Sequence, residues 1–533
     1  MSAVLAAVPV TMKISDLQTG FQILSRLPLA NSQQAQFEIN RFLDSLLQAP
    51  PPGEIYLQLL EQTRISLCFI EEEFSRRYTD KALPLGESED EAFHEVVSTW
   101  LKAARAYSHC ARLQRPEDNH AERLALILHR CIYYTGMAIT EHHRARRQLP
   151  RGLWLDLHGF YASAEEWGLA TLAVPDSLDP LGRSTHCTAA FVSLILTELA
   201  GPVSLSVREL GLVRRWADMW SPLVTLHAAL PGEALPQSVV DLMHDCGLRS
   251  SSQCLQTENV RRIDTARLEA QLNQAKARLQ ERTTPAQLGL GEDCTTAQCQ
   301  RLLKRLSRPW ALLRTPRQFR RNATTGMAKI CGGFAGMHYH VSGKEFSQPD
   351  NARIYSRKEF DSLFTFRQML DPTEQLGIRQ SQLGFAIDEW EVLNQSANGF
   401  RLMRSSVGKR MVPDQLLSIC PHDGSSYFLA QVAWLMQEQG GGLVAGIAAL
   451  PGKPQAVAAR PLPEDEGHAE LYSRAFILPA VAAIGAEQSL VLPQGWFYPG
   501  RLLEVYVDGI WRVRMHRLVG SGSDFDRVTF SVT

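Results

Sequence analysis

Two patches decide how this chain reads: Arg317-Gln-Phe-Arg-Arg321, leading into the apolar run Met327 to Val341, and Asn394-Gln-Ser-Ala-Asn-Gly399. The second lies between the strand-like Trp390-Glu-Val-Leu393 and Phe400-Arg-Leu-Met403. Met327 to Val341 reads as a strand, and the polar stretch from about 342 to 385 as an insertion of mixed character. Downstream, apolar runs of strand length recur at Gln415–Ile419, Phe428–Leu435 and Leu443–Leu450, with Gln439-Gly-Gly-Gly442 as the hairpin turn between the last two. Further strands are predicted at Ala475–Leu478, Ser489–Leu492, Leu502–Val507, Trp511–Val519 and Arg527–Val532. Regular short strands with glycine turns predict one β-barrel, or one and a second small one.

Upstream the period changes from two to 3.6. Leu60, Thr63, Leu67, Ile70 and Phe74 fall three and four apart, on one face of a helix. The spacing recurs at Phe93, Val96, Trp100, Ala104, Tyr107 and Ala111, and at Leu124, Ile127, Cys131, Tyr134 and Ala138. Leu153, Leu157, Tyr161, Ala164 and Trp167 repeat it. Breakers at Pro50-Pro-Pro-Gly53, Pro84-Leu-Gly86 and Pro116-Glu-Asp118 separate these helices, and Ser206-Val-Arg-Glu209 has the form of a capping box. No clean 34-residue period emerges, so an irregular helical bundle or solenoid is expected. Val260, Ile263, Leu268, Leu272, Ala275 and Leu279 form a narrow seam read as a connecting helix, with a coiled coil between two copies as the other option.

Composition narrows the function classes. The chain has 533 residues, enough for two to four domains, and a net charge of −1 excludes a global attraction to nucleic acid or anionic lipid. An anion site must therefore be local. The ten cysteines have no zinc spacing and read as reduced thiols of a cytoplasmic protein. Phe476 to Leu492, the most apolar stretch, carries Pro479, Glu487 and Gln488, so no membrane span is expected.

The local anion site is sought in the two patches. An arginine fork matches two phosphate oxygens or the O6/N7 edge of guanine. Arg317 and Arg321, four apart with Arg320 between, can close over a ligand that carries both groups. Asn394 adds an amide and Ser396 a hydroxyl, while Gly399 permits either a positive φ or a close approach to the ligand. An R-x-x-x-R pair entering a barrel, followed by [D/N]-x-S-x-x-G at a strand turn, resembles the PilZ family over about 310–455, with the Phe428–Trp434 and Leu443–Ala448 runs like that family's later hairpin. The resemblance implies a cyclic di-GMP receptor in which Arg317 and Arg321 hold phosphate and guanine edges, and Asn394 and Ser396 contact guanine from the barrel. The gap from Arg321 to Asn394 is longer than the family norm, so the insertion must loop out. A second R-x-x-x-R, Arg353 to Arg357, lies inside it and is read as a solvated helix face or turn.

Other side chains carry bland readings. His338 and His340 alternate on the expected strand and share a face, yet no third ligand stands at metal spacing. Cys246 is read as a buried thiol at a helix end before Gly247. G-x-S-x-G and G-x-x-x-x-G-K-[ST] are absent, so neither a catalytic residue, a metal nor a cofactor is expected.

The sequence thus predicts a multidomain α + β protein. Residues 1–255 form an all-α domain, 256–308 connecting helices, 309–455 a PilZ-like barrel, and 456–533 a further β segment or second small barrel. The expected function is a cyclic di-GMP effector in which ligand binding at the barrel is coupled to an unknown protein partner of the helical domain, with a homodimer left open. Two alternatives stand beside it. One is a helical adaptor whose degenerate barrel binds no nucleotide; the other is a nucleic-acid binder using the basic run 301–321 with Trp310 and Phe319.

Overall fold

The computed structural model describes Ile14 and residues 16–114, 120–179, 181–230, 232, 234–255, 257–313, 319–349, 385–405, 408–462 and 470–533. Contacts divide the chain into two units: Met1–Lys81 with Leu85–Pro316, and Ala82–Pro84 with Arg317–Thr533.

The first unit is mainly helical: α1 (Leu17–Ser25), α2 (Ser32–Gln48), α3 (Gly53–Ser75), α4 (Glu87–Arg112), α5 (His120–Arg144), α6 (Leu153–Glu166), α7 (Cys187–Leu199) and α8 (Val207–Trp220). The periodic residues face inward as their spacing requires. Leu60, Thr63, Leu67, Ile70 and Phe74 of α3 are buried, as are Phe93, Val96, Trp100, Ala104 and Tyr107 of α4. Trp100 and Tyr107 both stack on Tyr134 of α5, with centroids 5.8 and 5.6 Å away. Arg130, fully buried, forks onto Glu61 with bonds of 2.9 and 2.8 Å, so α5 is tied to α3 by a paired charge. The expected capping box opens α8, where Ser206 accepts from Glu209 N–H and the Glu209 carboxylate accepts in return.

A small antiparallel sheet follows, built from β1 (Thr225–Ala228), β2 (Ser238–Asp241), β3 (Arg249–Ser250) and β4 (Val260–Asp264) in the order β1-β4-β2-β3. Three expectations are corrected here. Val260 and Ile263 belong to a strand, and the helix begins only at α9 (Ala266–Gln280). On a strand the same three-residue step puts Val260 and Ile263 on opposite faces, each in its own apolar cluster, and β4 gains the hydrogen bonds of two partner strands. Cys246 stands in the turn between β2 and β3, not at a helix end. Trp167, read as an inward position, is the C-cap of α6 and is 53% exposed. The unit ends with α10 (Thr296–Trp310), whose Leu302, Leu303, Leu306 and Trp310 are buried. The Trp310 indole donates to Leu196 O at 2.8 Å and meets Trp220 edge-on.

The second unit contains two closed six-stranded antiparallel barrels. The first uses β6 (Met327–Gly332), β7 (Asp388–Ser396), β8 (Gly399–Arg404), β9 (Leu416–Cys420), β10 (Phe428–Gln437) and β11 (Leu443–Ala449). It closes in the order β7-β6-β9-β10-β11-β8, because β7 pairs with both β6 and β8, and the short β5 (Asn322–Ala323) adds to β7. The second comprises β12 (Gln455–Pro461), β13 (Ser473–Leu478), β14 (Ser489–Pro493), β15 (Leu502–Tyr506), β16 (Ile510–Ser521) and β17 (Phe525–Val532), closed in the order β12-β13-β14-β17-β16-β15. β12 went unread in the sequence, where its alanines and Pro461 hide a strand signal.

Between β6 and β7 lies α11 (Phe334–Ser342), which corrects the reading of Met327 to Val341 as one strand. Gly332 and Gly333 end the strand, and Gly333 takes a φ of 81°. His338 and His340 therefore do not share a face. His338 is buried against Phe346 and Phe476, whereas His340 meets the Phe385 carbonyl at 2.9 Å. Met337 of α11 packs with Leu416 and Leu429 of the first barrel and Phe476, Leu478, Val491 and Phe525 of the second in one shared core. The insertion falls mostly on residues 350–384, which lie outside the described set together with Arg353 and Arg357, as does the breaker Pro116-Glu-Asp118.

Replacing Trp310 with Ala is expected to destabilise the helical unit by about 3–5 kcal/mol, read as a lower denaturant midpoint, since it empties a large core site. A second expectation concerns pH. Burial beside Trp154 and Phe191 pulls the His158 pKa down to about 4. Its folded value lies below its unfolded value, so this contribution is present above pH 6.5 and is lost as pH falls toward 4. In His158→Leu, the stability lost between pH 6.5 and 4 is expected to shrink by roughly 3 kcal/mol, measured by unfolding at both pH values.

Candidate functional site at the first barrel

The site is built around the end of β7. Its hairpin partner β8 begins after the two-residue turn Ala397-Asn398, with Ser396 opposite Gly399. Ser396 Oγ donates to Asn398 Oδ1 at 3.1 Å and lies 3.3 Å from Gly399 O, which holds the turn shut. On the other edge of β7, Asn322 of β5 pairs with Gln395 and Ala323 with Asn394. The basic patch and the Asn-Ser-Gly patch, 73 positions apart between Arg321 and Asn394, are thus neighbours in one sheet. Arg320 and Arg321, immediately before β5, are exposed and have no ion-pair partner among the described residues. Arg317 lies outside the described residues.

A bulge decides which way Asn394 points. Val392 pairs with Leu402 and is buried, and two residues on a regular strand would put Asn394 on that same inward face. The register shift between Val392 and Asn394 inserts one residue and brings Asn394 opposite Arg401. A second bulge, between Val432 and Trp434 of β10, likewise turns Trp434 outward opposite Gly446. The registers join these positions in one outward row: Asn394 on β7, Arg401 on β8, Gly446 on β11 and Trp434 on β10. Neighbouring rows, such as Leu402, Ala445 and Leu435, point into the barrel and are fully buried.

The row has polar groups without partners. Asn394 Oδ1 and Arg401 Nε are buried and unbonded. The Arg401 guanidinium lies 6.0 Å from the Trp434 ring centre, and no carboxylate pairs with it among the described residues. The indole in turn lies over Gly446, where any Cβ would overlap it. Arg404, three residues on, is committed elsewhere: it donates to Asp388 at 2.9 Å and to Lys409 O at 3.1 Å, against Trp390. Burial lowers its pKa below the usual arginine value, opposed by the Asp388 carboxylate. Sequence reasoning missed Arg401, Trp434 and Gly446 as a set. Only the odd step in the apolar alternation at Leu393 and Ala433 could have signalled them.

Gly399 makes a close approach, but to a neighbouring strand rather than to a ligand. Its φ lies outside the left-handed region, and a Cβ there would meet the Ile447 carbonyl oxygen at 2.6 Å. The glycine lets β8 press against β11.

The basic run 301–321 divides. Arg301 pairs with Glu209 at 3.2 Å and Arg305 donates to Ser204, while Trp310 is core. A stacking role for Trp310 on a nucleic-acid base is thereby excluded. Among the described residues no helix is long and apolar enough to cross a membrane.

Comparison with known proteins follows this layout. Residues 20–232 match the family model described as the cyclic-di-GMP receptor FimW, N-terminal domain. Residues 239–375 match the FimW middle PilZ domain, and 457–533 the FimW C-terminal beta-barrel domain. The PilZ part is therefore the middle of three, which corrects its expected placement as the C-terminal part. The middle match runs from β2 through α11, so β7 to β11 lie between it and the C-terminal match. The chain is 24% identical to the cyclic-di-GMP receptor FimW of Pseudomonas aeruginosa over 545 residues, covering 94% of this chain and 89% of that protein. No solved structure matches.

An alanine at Gly399 is expected to cost about 1–3 kcal/mol through overpacking against Ile447, measured by chemical unfolding of the second unit. Unchanged stability would show that β11 yields there freely. In order along its length, the chain has the three-part composition of the FimW family: an N-terminal domain, a middle PilZ domain and a C-terminal β-barrel.

Proposed function

We propose that the chain is a cyclic di-GMP effector, with the ligand held between the arginine lead-in and the outward row of the first barrel. The observation that carries this reading is the β5–β7 pairing, which sets Arg320 and Arg321 beside Asn394 and Ser396. Support comes also from the matching relative, described as a cyclic-di-GMP receptor. The chemistry suits a ligand with two phosphates and two guanines. Arg317, Arg320 and Arg321 supply planar forks for phosphate oxygens and guanine O6/N7. Asn394 Oδ1 offers a buried acceptor for a guanine donor, and Ser396 a hydroxyl. Gly399 keeps the hairpin close to β11. Arg401 on Trp434 adds a flat cationic surface on which a base can stack.

Arg317 stands in the link between the two units, so holding it on the ligand would bias what the helical unit binds. The partner chemistry of that unit, and any pairing of two copies, belong to this proposal as consequences to be measured.

Titration calorimetry with cyclic di-GMP tests the reading on the full chain. Wild type is expected to bind, and Arg317→Ala, Arg321→Ala and Asn394→Ala each to bind at least about tenfold more weakly, the equivalent of about 1.4 kcal/mol for one charge-assisted contact. Equal affinity in all four proteins sinks the proposed site. Absence of heat in wild type sinks the effector reading and favours the adaptor.

A further inference from the structure

A pocket lies in the same unit at the other end of β6. That strand runs from Met327, beside Glu391 of β7, to Gly332, and α11 follows it. Phe334, Phe346, Gln348, Tyr472, Ser473, Arg474 and Pro493 line a cavity of about 340 Å³ there. Its walls are held by their own contacts. Gln348 donates to Tyr472 O at 3.0 Å and accepts from Tyr472 N at 2.9 Å, using both ends of its amide. The Tyr472 ring lies under Arg460, which donates to Glu504 at 2.7 Å. Phe346 meets His338 edge-on at 5.3 Å, and Phe334 packs on Phe476 at 5.8 Å.

Arg474 is the exception. Its guanidinium lies 4.8 Å from the Phe346 ring centre, its Nε is buried with no acceptor, and no carboxylate pairs with it among the described residues. Two other partly buried arginines of the unit are matched, Arg404 by Asp388 and Arg460 by Glu504, whereas Arg401 of the outward row, like Arg474, has a buried Nε without an acceptor. Holding a guanidinium partly out of water with a donor unused is unfavourable unless an anion completes it. Burial lowers its pKa from the usual arginine value, in keeping with that missing partner.

We infer that this pocket is a second ligand site, taking a small anion that carries an aromatic ring. The carboxylate or phosphate sits on Arg474, and the ring among Phe334, Phe346 and Tyr472. Such a ligand supplies the acceptor that Nε lacks and covers the apolar wall at the same time. The site is independent of the cyclic di-GMP proposal, since none of its residues belongs to the outward row of the first barrel.

Saturation-transfer NMR on the full chain tests this with four probes: phenyl phosphate, benzoate, phenol and inorganic phosphate. The two aromatic anions are expected to bind in the millimolar range, and phenol and inorganic phosphate at least about tenfold more weakly, since each lacks one half of the recognition. Binding of phenyl phosphate alone would identify a phosphate site, and of benzoate alone a carboxylate site; either upholds the inference. Arg474→Gln should weaken the aromatic anions by about tenfold or more, and Phe346→Ala should weaken them as well. Cyclic di-GMP affinity should stay unchanged in both variants, which also reports that they are folded. No transfer to either aromatic anion, or equal transfer in wild type and Arg474→Gln, overturns the inference.

Discussion

The double pairing of β7 is the constraint on which the second unit rests. One of its edges binds β8 through a two-residue hairpin, and the other binds β5 and β6 in succession. Closing the sheet this way gives each of the six barrel strands a neighbour on both sides without another chain. The same closure carries the segment just after the basic run to the tip of the β7–β8 hairpin. Barrel formation and assembly of the candidate site are thus one event. A chain that failed to pair Ala323 with Asn394 would lose the adjacency of the arginines and the amide.

Two bulges then set the chemistry of the wall. An unbroken alternation would bury Asn394 with Val392, and Trp434 with Val432, inside a barrel already filled by Leu402, Leu435 and Ala445. One extra residue in each strand turns them outward instead. Gly446, between the two, has no side chain to hold the indole away. The resulting row has a donor and an acceptor buried without partners, an arrangement unfavourable in an isolated fold and suited to one that receives a ligand.

The two barrels are welded rather than strung together. Met337 of α11 sits in a core drawn from both, Asp524 accepts from Leu416 N at 2.8 Å, and Ser523 donates to Asp414 O at 3.1 Å. Gly522 comes so close to the Asp414 carbonyl that a Cβ would overlap it. A ligand that tightens the first barrel therefore acts on a body that includes the second, and α11, wedged between them, borders the Arg474 pocket.

Much of this was legible in the sequence. Helical periodicity placed α3 to α6 and their buried faces, the Ser206–Glu209 pair marked the start of α8, and most barrel strands stood within a few residues of their readings. These features depend on neighbours three, four or two positions away, so composition and spacing suffice for them. The remainder needed distant partners. Val260 and Ile263 became a strand because β1 and β2 were there to bond them, and Phe334 to Ser342 coiled because two barrels offered a shared core to fill. Asn394, Arg401, Gly446 and Trp434 met only when four strands lay in register with two bulges. Local pattern determined which segments are helix and which are barrel wall. Register, which follows from closing the sheet, decided which side chains face one another, because a one-residue slip reverses every side chain on a strand and no short stretch of sequence records it.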